Sequence, residues 1–207
     1  AHDQRDSEFA KKYKLPIREV IEPEYIQTTE PGIVKEHLPF VEREGIIAIV
    51  RHCSEEKYIG LKWKTVAWGT WITGGIEKGQ TAEAAARAEV LEEVGYRNLR
   101  FIKDLGVVHG KFYHVPKNEN RLVHGHCLYF ELENDAREEI LGKEKALHDP
   151  VWLSKDEVEK FLTPATHLWA WRELKGNHQV YVGSGYLKNS RKFNGLSSEK
   201  AKWEITK

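Results

Sequence analysis

Apolar and polar positions change rhythm several times along this chain. In "AHDQRDSEFAKKYK", Phe9, Ala10 and Tyr13 form a helical stripe. Asp3 can cap that helix, Asp6 falls in its first turn, and Leu15-Pro16 ends it. "IREVI" alternates as a strand, and residues 23–44, with three prolines and a Pro-Gly turn, read as a connector. From Glu44 the pattern is denser. "GIIAIVRH" and "YIGLKWK" are strands joined by the turn "CSEEK", which predicts a hairpin. "TVAWGTWIT" leads to a glycine pair and a helix over 81–94. "LRFIKDLGVVHGKFYHV" and "RLVHGHCLYFELE" are extended around the turn "PKNEN". "SKDEVEKFL" and "ATHLWAWREL" read as short helices. The strand-like, glycine-rich "GNHQVYVGSGYLKNSRKFNGL" precedes a last helix, "SSEKAKWEIT", that Ser197 or Ser198 can cap. An expected approach of Ile17–Ile21 to Val180–Leu187 would bring both ends of the chain to one side.

Composition narrows this picture. The 207 residues include 7 Trp and are 40% hydrophobic, enough for a substantial core. Lys and Arg number 32, and so do Asp and Glu, so no global field draws the chain to nucleic acid and any RNA contact must be local. DNA is not an expected partner. Cys53 and Cys127 lack CxxC spacing and read as reduced thiols. No apolar run reaches the ~18 residues of a membrane span, and the polar first residues do not look like a signal peptide. A cytoplasmic setting is expected. The absence of Met suggests a piece of something longer.

The candidate chemistry concentrates in "GGIEKGQTAEAAARAEVLEEVGY", residues 74–96. Gly74 and Gly75 suggest a loop with unusual dihedrals that approaches phosphate closely. Thr81 is a cap; Ala82, Ala85, Ala86, Val90 and Val94 keep helical spacing toward a core; Gly95 suits the C′ position. Glu89, Glu92 and Glu93 crowd one side, although like charges one turn apart cost ~0.2–0.5 kcal/mol. Oxygen ligands so spaced suit Mg²⁺ or Mn²⁺ bridging a diphosphate. A solvated acidic helix face is the plain alternative.

The stretch resembles the Nudix box, G-x5-E-x7-R-E-U-x-E-E-x-G-U with U a bulky apolar residue, through Gly74, Glu89, Val90, Glu92, Glu93, Gly95 and Tyr96. The resemblance implies an α/β fold, an α/β/α sandwich with a mixed sheet. It also implies Glu89, Glu92 and Glu93 as metal ligands, with Glu92 and Glu93 catalytic if the domain is active. Two positions depart: Gln80 replaces the first Glu, and Ala88 replaces the Arg that orients the glutamates in that family. Arg87 points ~100° away round the helix and is a poor substitute.

The two ends carry a second resemblance. "AHDQRDSEFAKKYKLPI" and "YVGSGYLKNSRKFNGLSSEKAKWEI" are similar to consecutive parts of the editing domain of bacterial leucyl-tRNA synthetases. That implies a layout of residues 1–24 and 177–207 as editing-domain segments, 25–43 as connector and 44–176 as a Nudix-like insert. In that family, the residue matching Asp6 holds the substrate's α-amino group and that matching Arg5 lies near the tRNA 3′ end, with Asp3 beside them. A carboxylate pairs with an ammonium and a guanidinium with phosphate, as those roles require; helix capping is the plain alternative for both Asp residues. The family's threonine-rich editing motif, its ATP-binding part and its anticodon-binding part are absent from this sequence. The implied partners are the remainder of the synthetase and, through it, tRNA(Leu). Two rival expectations are a working Mg-dependent Nudix pyrophosphohydrolase and a non-catalytic insert that shapes tRNA docking.

Among other polar residues, His124 and His126 share one strand face and, with His109 and His114, could line a cleft or serve as a base. Polar positions on a half-exposed strand explain them more simply. Trp63, Trp68 and Trp71 suit a core or cleft wall. "KNSRKF" is a modest basic patch.

Overall fold

A computed structural model describes residues 32–140 and 142–176 continuously, with short pieces at 9, 12–13, 25–27, 181–182 and 185–186. Asp3, Arg5, Asp6, the expected strand at 17–21 and the segment from 187 onward lie outside the described residues. In chain order the elements are β1 (Ile26–Gln27), β2 (Phe40–Arg51), β3 (Lys57–Trp63), β4 (Gly69–Thr70), β5 (Ile72–Gly75), α1 (Ala82–Val94), β6 (Leu99–His114), β7 (Glu119–Leu132), α2 (Gly142–Leu147), β8 (His148–Ser154), α3 (Lys155–Phe161), α4 (Ala165–Leu174), β9 (Tyr181–Val182) and β10 (Gly185–Tyr186).

Eight strands form one mixed sheet in the order β1-β6-β7-β2-β3-β4, with β5 on β2 and β8 on β3. β1 runs parallel to β6 and β2 parallel to β7; the other pairs are antiparallel. The centre of β2 is buried on both faces. Ile46, Ala48 and Val50 join α1's Ala85, Ala86, Val90 and Val94 in one apolar cluster. Ile47 and Ile49 join Val158 of α3 and Ala170 and Trp171 of α4 in the other. Period-2 alternation on a strand sandwiched by helices makes such a run continuously apolar. This is the expected α/β/α arrangement around a mixed sheet.

Three local expectations change. The hairpin from β2 to β3 keeps only the pair Arg51↔Tyr58. The edges of β2 are taken by β7 and β5, while β3 turns to β8 and β4. β2 starts at Phe40, inside the stretch read as connector, because its parallel pairing with β7 begins at Phe40↔Asn120. Fully buried Asn120 also ties that entry segment down, donating to Lys35 O at 2.7 Å and Leu38 O at 2.8 Å and accepting from Lys35 N at 3.0 Å. Helix α2 and strand β8 were not foreseen.

Helix α1 follows its sequence signals. Thr81 Oγ1 accepts from Ala84 N at 3.2 Å. Gly95 ends the helix at φ 77°, its N–H donating to Leu91 O at 2.9 Å. A Cβ on Gly95 would lie 2.4 Å from Glu138 O. Gly95→Ala is therefore expected to cost at least the ~1–2 kcal/mol of a left-handed non-glycine backbone, with the 137–138 segment displaced in addition. Chemical denaturation checks this; an unchanged midpoint would contradict it.

Candidate functional site

The residues of the 74–96 stretch are brought to one edge of the sheet, and its three glutamates take different settings there. Gly74 and Gly75 pair with Ile46 and Gly45 as ordinary strand residues of β5. Neither has a positive φ; the left-handed glycine of the following loop is Gly79, at φ 84°. The expectation of unusual dihedrals at the glycine pair is thus corrected: β2 holds both in the sheet. Close approach is real at Gly74, where an added Cβ would lie 2.0 Å from Glu89 Cδ. Gly75 is exposed and faces open space.

Glu89 therefore lies over Gly74, Glu92 is exposed, and Glu93 is buried, 6% exposed. Glu93 turns inward, toward Glu144 of α2 and His148 at the start of β8. One oxygen or nitrogen from each of these three residues lies within 4.8 Å of the others. Neither Glu89 nor Glu92 belongs to such a cluster among the described residues. A cation held by the three box glutamates would need oxygens from Glu89 and Glu92 to gather beside Glu93. Burial, then the nearby charge of Glu89, holds the Glu93 carboxyl well above the usual carboxylate range. Burial pushes His148 below the usual imidazole range.

Ala88 is exposed. Arg87 is engaged elsewhere: its Nε donates to Glu83 Oε1 at 2.9 Å and a terminal nitrogen donates to Leu99 O at 2.8 Å. It does not reach toward the box glutamates, as the ~100° offset implied.

Glu93, Glu144 and His148 line a cavity of about 330 Å³. Lys64, Arg137 and Lys145 stand in its wall. Lys64 Nζ pairs with Asp149 at 2.9 Å, Lys145 Nζ with Glu139 at 3.0 Å, and Arg137 Nε donates to Val94 O at 2.9 Å. Trp63 packs edge-on against His148 with ring centroids 5.6 Å apart. Glu144 and His148 were missed by sequence reasoning. Their i,i+4 spacing was a usable signal, but the short polar helix before His148 has no apolar stripe to announce it.

The other expected residues take ordinary places. His124 Nε2 meets Glu42 at 2.7 Å, His126 Nε2 meets Glu44 at 3.1 Å, and the Nδ1 atoms of His109 and His124 lie 2.7 Å apart, within hydrogen-bond distance. His114 stands apart, and burial lowers its pKa to about 4. Trp71 is fully buried and Trp68 nearly so. Both cysteines are free thiols. A second cluster, His52, Cys53 and Asp135, is closed by its own hydrogen bonds. His52 Nδ1 accepts from the amides of Ser54 at 3.3 Å and Glu55 at 3.2 Å, so Nε2 carries the proton and meets Asp135 at 3.1 Å. Cys53 donates to the same carboxylate at 2.9 Å. No helix among the described residues is long and apolar enough to cross a membrane.

Comparison with known proteins matches this arrangement. The family model described as NUDIX domain matches residues 38–172, more than half of the chain. A second model, "Leucyl-tRNA synthetase, editing domain", matches residues 1–55. A leucine–tRNA ligase from Petrotoga mobilis is 60% identical over 38 residues, 18% of this chain and 5% of that protein. One from Geobacter sp. is 30% identical over 116 residues, 56% of this chain and 11% of that protein. The chain thus spans only a small part of the length of these ligases. Among solved structures, the E. coli dihydroneopterin triphosphate pyrophosphohydrolase superposes with TM-score 0.52 at 18% identity, over 67% of this chain and 99% of that one. The NUDIX domain of Shewanella oneidensis NrtR, complexed with ADP ribose, superposes with TM-score 0.50 at 10% identity, over 66% and 88%. Identities this low speak for a shared fold alone.

Proposed function

The chain belongs to the Nudix family through residues 38–172, and from that premise we propose that it is a part of a leucine–tRNA ligase whose editing domain carries a Nudix domain slow or inactive as a pyrophosphohydrolase. The synthetase link is supported by the editing-domain match at residues 1–55 and by the two ligase relatives. In this reading residues 1–24 and 177–207 are editing-domain segments, 25–43 is the connector and 44–176 the insert. The remainder of the synthetase supplies ATP binding, leucine activation and tRNA(Leu) contact in the cytoplasm.

One observation carries the slow-turnover reading. The box carboxylates differ in setting: Glu89 lies over Gly74, Glu92 is in solvent and Glu93 is buried. Ala88 supplies no guanidinium to gather them. Displacing catalytic groups by about 1 Å can cost ~100-fold in rate. A divalent cation held by Glu89, Glu92 and Glu93 would polarise a diphosphate and activate water, with Glu92 or Glu93 as catalytic carboxylate. A working hydrolase remains the second reading, favoured by the basic side chains Lys64, Arg137 and Lys145 in the cavity wall, which suit an anionic diphosphate.

For editing, Asp6 would hold the substrate ammonium, with Arg5 near the tRNA 3′ end and Asp3 beside them. The test places Asp6→Ala in the complete synthetase. Clearance of a wrong amino acid from tRNA(Leu) is expected to change while leucine activation does not, because charging occurs at a separate site. Unchanged clearance would count against the editing assignment. Alongside, the chain is expected to cleave a panel of dinucleotides and nucleotide sugars slowly or not at all; fast, Glu93-dependent cleavage would establish the second reading.

A further inference from the structure

Outside the box, Glu144 and His148 bring two further donor side chains to Glu93 in the interior. His148 is 1% exposed and both of its ring nitrogens lack a hydrogen-bond partner. Glu93 Oε2 is likewise buried without one. A buried polar atom left unpaired costs about 1–3 kcal/mol, so two side chains bearing such atoms in one cavity call for an occupant.

The distances say what kind. His148 Nε2 stands 3.7 Å from Glu93 Oε1 and 3.6 Å from Glu144 Oε2. Both are too long for a hydrogen bond. Both are close to the edge of a tetrahedron of donors around a small dication, roughly 3.4 Å for metal–ligand bonds of ~2.1 Å. Two carboxylates also cancel the charge of a dication, whereas two buried carboxylates and a neutral imidazole are poorly compensated by themselves.

We infer that Glu93, Glu144 and His148 form a buried site for a first-row transition dication, such as Zn²⁺ or Mn²⁺, that is distinct from an all-glutamate box site and disfavours Mg²⁺. The imidazole makes the choice. Mg²⁺ prefers six oxygens in an octahedron and keeps its waters, whereas a nitrogen donor suits Zn²⁺ and its neighbours. The cavity leaves room beyond the three donors for water or an anionic oxygen, and Lys64, Arg137 and Lys145 around it suit such an anion. This rests on the reading of 38–172 as a Nudix domain only for the placement of Glu93. It does not depend on turnover.

The test uses the whole 207-residue chain, stripped with chelator. Thermal melts and calorimetric titrations are run with Zn²⁺, Mn²⁺ and Mg²⁺ at equal concentration. A ligand that binds only the native state raises the melting temperature, by an amount set by its concentration relative to Kd. Zn²⁺ and Mn²⁺ are expected to raise it and Mg²⁺ to leave it unchanged. His148→Gln and Glu144→Gln should each lose the response, and Glu89→Gln and Glu92→Gln should keep it. Asp135→Asn, in the other cluster, should keep it too. Because a buried histidine variant can fail to fold, pulsed electron paramagnetic resonance of the wild-type chain loaded with Mn²⁺ gives an independent reading, with nitrogen coupling from imidazole expected. Equal responses to Mg²⁺ and Zn²⁺, a response abolished by Glu92→Gln but not by Glu144→Gln, or bound Mn²⁺ without nitrogen coupling would each overturn the inference. Fast hydrolysis in the panel assay would overturn the slow-turnover reading and leave this site standing, because its readout is binding.

Discussion

Ala88→Arg is expected to raise hydrolysis of a responsive nucleoside diphosphate derivative by roughly 100-fold over the wild-type chain, in the presence of Mg²⁺. A guanidinium at 88 would lie one helical turn before Glu92, within pairing distance of its carboxylate. Ala88 is exposed, so the longer side chain displaces no core residue. Arg87 cannot supply this contact, because Glu83 and the carbonyl of Leu99 already hold it. The measurement is steady-state cleavage over the same substrate panel, wild type beside variant. An unchanged rate would mean that the different settings of the box carboxylates are not caused by the missing arginine. The inward turn of Glu93 toward Glu144 and His148 would then be its own cause.

Acid is expected to unfold this domain well before its surface carboxylates titrate fully. His167 accepts the backbone N–H of Trp71 through Nδ1 at 2.9 Å, and Trp71 Nε1 donates to its carbonyl at 3.2 Å. The ring is 6% exposed, and burial alone lowers its pKa to about 3 from the ordinary 6.5. Between those values the unfolded chain binds a proton that the native state refuses. Stability is therefore full above pH 6.5 and falls as pH drops toward 3, about tenfold in the folding equilibrium per pH unit, on the order of 5 kcal/mol over the window. His114, lowered to about 4 by burial, and His148, also lowered by burial, act in the same direction. Glu93, with its pKa raised, opposes them. Urea melts at a series of pH values in chelator should show this slope. His167→Asn offers an oxygen to the Trp71 N–H but does not titrate, so it should flatten the slope by one proton even if it lowers stability at pH 7. An unaltered slope would remove His167 as the cause.

Much of the local structure was legible. Helix α1 carries its own start in Thr81, its stripe in Ala85, Ala86, Val90 and Val94, and its stop in Gly95, all within one short stretch. The hairpin β6–β7 announces itself through the turn at 115–118, where Asn118 takes φ 50° and accepts from Tyr113 Oη at 2.7 Å. Helix α3 is announced by Ser154 and Glu157, whose carboxylate accepts from Ser154 N at 2.8 Å. Each of these signals acts over a few residues, so spacing alone can express it.

What the tertiary structure decided is pairing across long separations. Nothing local says that β2 lies parallel to β7 instead of folding back on β3, because an apolar strand suits either neighbour. The box gave the identity and order of Glu89, Glu92 and Glu93 but not their directions. On a helix, Glu93 shares its side with Ala86 and Val90, so core packing draws it inward. Whether it meets another acid, a base or a void there depends on which distant residues arrive. The return of β8 beside β3 puts His148 opposite Trp63, and the preceding helix α2 carries Glu144 with it. The motif, by itself, determined that carboxylates would stand at this edge of the sheet. Only the folded chain decided that Glu93 would be buried within reach of Glu144 and a histidine, because that contact closes a long loop that no local preference encodes.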